Sequence, residues 1–147
     1  MQVRTVSVTL SAPRAAVFNF LADIENLPKW ATEFCERIEL RHNGWLAYGS
    51  QGEMMVESEA DDRTGVIDLR IGPSTDESAL FPIRVLPLPT GRTVVSFTFI
   101  QPPELPDELY ERQHQSLIIE MQGLIRRFGG GELHALGGVQ LAVLGLN

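Results

Sequence analysis

The sequence predicts an α+β domain in which a curved antiparallel sheet wraps around one long helix near the C-terminal end. Residues 106–128 read as a single long amphipathic helix. Residues 34–101 keep a period-two alternation broken by turn signals. Two short helical stretches follow the first strand, so the helices gather on one face of the sheet instead of alternating with the strands.

Residues 3–10 alternate, with Val6, Val8 and Leu10 on one face, and form the first strand. Ser11 and Pro13 mark a helix start, and Val17, Phe20, Leu21 and Ile24 then recur at helical spacing. Asn26-Leu27-Pro28 breaks that helix, and a short turn over 29–32 directs Trp30 inward. In the next strand Phe34, Ile38 and Leu40 share a face, and Asn43-Gly44 is a hairpin signal. Strands follow over 45–49, 53–60 and 66–71, the last ended by Gly72-Pro73. A polar loop over 74–78 leads to a strand over 80–86, where Pro82 implies a bend or a nearby edge. The strand over 93–101 makes seven in all.

Pro102 and Pro103 lead into the long helix, whose first turn suits Pro106 because a proline lacks an N–H that would be unpaired there. Glu104, Asp107 and Glu108 stand at its positive end, and Arg126 and Arg127 at its negative end. Gly129, Gly130 and Gly131 stop it after roughly 34 Å. Tyr110, His114, Leu117, Met121, Leu124 and Phe128 fall on one stripe, with Ile118 and Ile125 beside it. The expected division is a ligand-binding domain over 1–128 and a glycine-rich apolar tail over 129–147. Residues 139–146 of that tail carry six apolar side chains, too many for a solvated linker. The tail is expected to fold back or to cross to a second copy in a homodimer, with crossing favoured.

At 147 residues the chain is of one-domain length and buries about 68–70 % of its unfolded surface, so it needs no metal or disulfide to hold it. Its net charge of -7 argues against a nucleic-acid partner and an anionic membrane surface. No run approaches a membrane span, and no signal peptide is evident. One cysteine, Cys35, fits a reducing, cytoplasmic setting. His42, His114 and His134 are scattered, so no metal and no cofactor is expected.

His114 lies on the stripe expected to face an interior cavity, one turn from Tyr110, where it could orient a ligand or move a proton. The plainer reading is a half-buried, hydrogen-bonded histidine. Asp68 and Arg84 flank the 72–78 loop, and a hairpin centred near residue 76 sets them opposite each other. They are either a charged pair holding a ligand's polar end or a cross-strand ion pair on the outer face. Trp45, Tyr48, Phe81, Phe97, Phe99 and Tyr110 could line an aromatic pocket, with Leu117 and Met121 from the helix; ordinary core is the alternative. The catalytic nominees are His114, Tyr110 and Asp68.

The stretch VSVTLSAPRAAVFNFLADIENLPKW, residues 6–30, resembles the START-like, or SRPBCC, superfamily. Ser11-Ala12-Pro13, Val17-Phe18, Leu21, Asp23, Asn26 and Trp30 carry the likeness. Gly65-Val66-Ile67-Asp68, Arg84-Val85 and the closing helix extend it to about residues 3–128. The superfamily includes lipid-transfer START domains, the birch pollen allergen and bacterial polyketide cyclase/dehydratase-like proteins. The resemblance implies a helix-grip, a seven-stranded sheet curled around the C-terminal helix with a deep cavity between them. Three functions compete: binding of a small hydrophobic or amphipathic molecule, which is favoured; a cyclase/dehydratase-like enzyme acting on an aromatic or polyketide-type substrate; and a protein-interaction module without a ligand.

Overall fold

The computed structural model describes residues 1–135. Residues 136–147, and with them the tail's expected role in a dimer, lie outside the described residues. The chain runs β1 (Val3–Leu10), α1 (Arg14–Ala22), α2 (Leu27–Trp30), β2 (Arg37–Arg41), β3 (Gly44–Gly49), β4 (Gly52–Asp61), β5 (Val66–Gly72), β6 (Ala79–Pro87), β7 (Thr93–Ile100), α3 (Asp107–Arg127) and β8 (Gly131–Ala135). A 3-10 turn over Ile24–Asn26 joins α1 to α2. The break expected at Asn26-Leu27-Pro28 comes earlier, at the extended Asp23 after Ala22, and the 3-10 turn runs directly into α2, with Pro28 in its first turn where the missing N–H costs nothing.

All strand pairs are antiparallel, in the order β2-β3-β4-β5-β6-β7-β1-β8. The sheet thus has eight strands where seven were expected. The eighth comes from beyond the glycine stop, and it pairs with β1 from Val6↔Ala135 to Leu10↔Gly131. Gly131 is required at that contact, because a Cβ there would lie 1.6 Å from the Thr9 carbonyl oxygen. Gly65 is required for a similar reason: its φ is 76°, and a Cβ would lie 2.1 Å from the Val85 oxygen.

Alternation turns one side of every strand inward. Val6, Val8 and Leu10 of β1, Ile67 of β5, Ile83 and Val85 of β6 and Val95 of β7 are all fully buried. They meet Val17 and Leu21 of α1, Leu27 of α2, Met121, Leu124 and Ile125 of α3, and Leu133 of β8. α3 crosses β1 and β8 and touches α2, while α1 rests on β6. The buried residues of α3 are Tyr110, His114, Ile118, Glu120, Met121, Leu124 and Ile125.

The β5–β6 register differs from expectation. Asp68 faces Pro82 and Arg84 faces Val66, because the hairpin is centred one residue earlier, β5 continuing through Gly72. Pro82 sits inside β6, but β6 pairs with β7 only from Ile83↔Phe97 onward. At Pro82 the strand is locally an edge, so no bond to β7 is lost.

Candidate functional site

A cavity of about 1000 Å³ lies between the concave side of the sheet, α2 with the segment after it, and one face of α3. Leu69, Phe81, Ile83, Phe97 and Phe99 form its sheet wall. They sit at alternate positions of β5, β6 and β7, in the pairs Leu69↔Phe81 and Ile83↔Phe97. Where β6 and β7 part, the Phe81 and Phe99 rings stack at 5.9 Å between centroids and 20° between planes. Leu27 and Trp30 of α2 close one side, Trp30 lying 5.7 Å from the Phe97 ring. α3 contributes Gln113, Ser116, Leu117 and Glu120, a helical row beside its sheet-facing one. The rim is made by the β3–β4 turn at Ser50 and Gln51, the loop over 73–78 and the connection over 102–105.

Among the carboxylates of the lining, Glu120 is the buried one. It is 6 % exposed, and its Oε2 accepts the Glu33 N–H at 3.0 Å and the Phe34 N–H at 3.1 Å. Burial pushes its carboxyl up to about 8; the two N–H bonds oppose that rise and the neighbouring charge of Glu33 adds to it. At neutral pH the group is therefore mainly a carboxylic acid. Because Oε2 receives both N–H groups, the acid proton belongs on Oε1.

The sequence-predicted residues divide sharply. Phe81, Phe97, Phe99 and Leu117 line the cavity. Trp45 shares the concave side with Ala47 and Val56 but lies outside the lining. Asp68 and Arg84 are on the opposite, convex side, since Ile67, Leu69 and Ile83 are the inward residues of their strands. They form a half-exposed ion pair at 2.9 Å, which contributes at most about 1 kcal/mol. Met121 is fully buried on the sheet-facing side of α3, outside the lining.

Tyr110 and His114 are also on that face, outside the lining. The Tyr110 hydroxyl donates to the Phe99 carbonyl, its ring stacks on Phe99 at 4.5 Å, and burial raises its pKa. His114 Nδ1 accepts from Arg4 Nη1 at 3.0 Å, which leaves the proton on a buried, unpartnered Nε2. Burial lowers the His114 pKa and the Arg4 charge lowers it further, against a weaker pull from Glu111. Arg4 in turn pairs with Glu111 at 2.6 Å and lies over the Tyr110 ring. The three catalytic nominees thus do not meet at one point: Tyr110 and His114 both contact Arg4 within packing against β1 and β7, and Asp68 faces outward.

Sequence reasoning missed Glu120 because it lies about 80° around the helix from the apolar stripe, among residues that read as solvated. The available signal was the second row, Gln113, Ser116, Leu117 and Glu120, at spacings of three and four. Cys35 is buried, its Sγ donating to the Arg37 carbonyl and its thiol pushed up by burial. Among the described residues no three His, Cys, Asp or Glu side chains gather to hold a metal ion, and no helix is long and apolar enough to cross a membrane.

No protein-family model and no curated protein matches the sequence. Solved structures do match. A protein from Bacillus thuringiensis superimposes with a TM-score of 0.69 at 17 % identity, over 86 % of this chain and 98 % of that one. A START superfamily protein from Mycobacterium smegmatis gives 0.62 at 15 %, over 86 % and 97 %. The Zhui aromatase/cyclase from Streptomyces sp. R1128 gives 0.58 at 18 %, over 83 % and 88 %. At such identities the likeness is one of fold, and the fold is a START-like helix-grip.

Proposed function

We propose that the protein binds a small, largely apolar molecule in the cavity between its sheet and α3. The observation that supports this is the cavity itself. Its volume of about 1000 Å³ has an apolar and aromatic inner wall of Leu27, Trp30, Leu69, Phe81, Phe97 and Phe99, with Gln113, Ser116 and Glu120 on the α3 side and polar and acidic side chains at the rim. That is the make-up of a small-molecule site. A closed interior would have favoured an interaction module.

The aromatase/cyclase neighbour raises an enzymatic reading. A cyclase- or dehydratase-type reaction needs at least two polar groups directed at one point. His114, Tyr110 and Asp68 do not supply them, so Glu120 is where such chemistry would have to begin.

The test is native mass spectrometry of freshly purified protein, paired with titration of a neutral apolar dye such as Nile red. A co-purifying mass or saturable dye binding is expected. Leu117→Trp, which fills the cavity from its helix wall, should weaken dye binding by about tenfold or more. Equal binding by the variant and the native chain would place the dye elsewhere and defeat the reading.

A further inference from the structure

We propose that the cavity selects a cation: an amphipathic molecule whose protonated or quaternary amine pairs with Glu120 while its apolar part lies against the aromatic wall. This rests on the cavity being a binding site.

The cavity is lined by Glu33, Asp76, Glu77, Glu104 and Glu120, and by no lysine, arginine or histidine among the described residues. Residues 136–147 contain no basic residue either. Arginines that do pair with carboxylates find them elsewhere: Arg4 with Glu111, Arg14 with Asp62, Arg63 with Asp61, Arg84 with Asp68, and Arg37 and Arg41 with Glu39. An acid buried without a cation is costly in its charged form, so it keeps its proton.

A cation brought in by a ligand removes that cost. The Oε1–H bond breaks, the proton leaves to solvent, and the carboxylate pairs with the ammonium group. The N–H groups of Glu33 and Phe34 remain on Oε2 and bind a carboxylate more strongly than an acid. Trp30, Phe81 and Phe97 line the same space, and aromatic rings attract alkylammonium groups.

The titratable groups beside Glu120 and those elsewhere in the cavity lining do not supply an alternative cation. Glu33 and Cys35 follow α2, Asp76 and Glu77 stand on the β5–β6 loop, and Glu104 precedes α3. Glu33, Asp76, Glu77 and Glu104 are exposed at the rim, where they concentrate cations and repel anions. Fatty-acid carboxylates and phosphate esters are disfavoured by the same charges.

Three probes of equal chain length separate the terms: decyltrimethylammonium, decanol and decanoate, titrated calorimetrically below micelle formation at pH 7. The cation should bind about tenfold or more tighter than decanol, with decanoate weakest. Repeating the titration in buffers of different ionisation enthalpy should show release of close to one proton per cation bound and none with decanol. Glu120→Gln, which retains an oxygen for the two N–H groups, should bring the cation down to decanol's affinity and abolish the proton release. Equal affinities for cation and alcohol with no proton release by the native protein would overturn the cation assignment and leave the cavity as a binding site. Binding by none of the three would overturn both. The proton measurement on the native chain holds even if the variant is poorly folded.

Discussion

Glu120 and His114 are both buried on α3, and their titrations pull stability in opposite directions. Glu120 has a folded pKa of about 8 against an ordinary value of 4.5. The folded state therefore holds its proton more tightly, and the resulting stabilisation is fully present below pH 4.5 and lost as pH rises through about 8. Urea midpoints of Glu120→Gln should lack this fall, so the variant should gain on the native protein steadily from pH 5 to pH 8.5. A constant difference across that window would show the carboxyl to be ordinary. His114 is shifted down from 6.5, so the folded state holds its proton less tightly and stability falls as pH drops below that value. His114→Gln keeps an acceptor for Arg4 and cannot titrate, so its disadvantage relative to the native chain should shrink between pH 7 and pH 5. His114 stood out in the sequence because a histidine on an apolar stripe is conspicuous. That conspicuousness gave its burial but not its partner, since Arg4 lies 110 positions away. Glu120 gave no such signal, because a glutamate on a helix ordinarily faces water.

Among the elements, β8 was the least legible. Its five residues, Gly131–Ala135, follow two glycines and contain one fully buried side chain, Leu133. Three glycines after a helix read as its end, and they are that. They also let the chain reverse: the Ser11 N–H donates to the Gly130 carbonyl at 3.1 Å before the pairing with β1 begins. The hairpin-linked strands from β2 to β7 were legible because local turns set their order, whereas β8 joins a partner more than a hundred residues away. If β8 holds β1 in the sheet, Leu133→Ala should cost about 2–5 kcal/mol in urea unfolding. Gly131→Ala should also destabilise, since the added Cβ meets the Thr9 oxygen at 1.6 Å and that oxygen is backbone with no freedom to move aside. Native stability in both variants would mean that β8 is dispensable and the fold ends with α3.

At the scale of the molecule, the sheet and helix are held apart over the cavity while they close over the rest of the core. The same strands do both: Ile67 and Val95 are fully buried, whereas Leu69, Phe97 and Phe99, farther along, form cavity wall. The antiparallel strands and the long helix were legible from periodicity, because burial on one side imposes alternation, and the family resemblance implied the curl of the sheet around the helix. Which helix row would front the cavity was not, because periodicity reports that a face is covered and not what covers it. This separation has a thermodynamic consequence. A molecule that binds only the folded chain stabilises it by mass action, by about 2.7 kcal/mol at a hundred times its Kd, or about 5–10 °C in Tm for a domain of this size. Leu117→Trp should act on the same space from within the chain: the indole gains contacts across the cavity, so the unliganded variant should melt at or above the native temperature. It should then show little further rise with decanol or decyltrimethylammonium, where the native protein shows the full one. A variant that melts well below the native protein would mean the space is already filled near residue 117. An undiminished ligand-induced rise in a well-folded variant would mean that the ligand binds outside it.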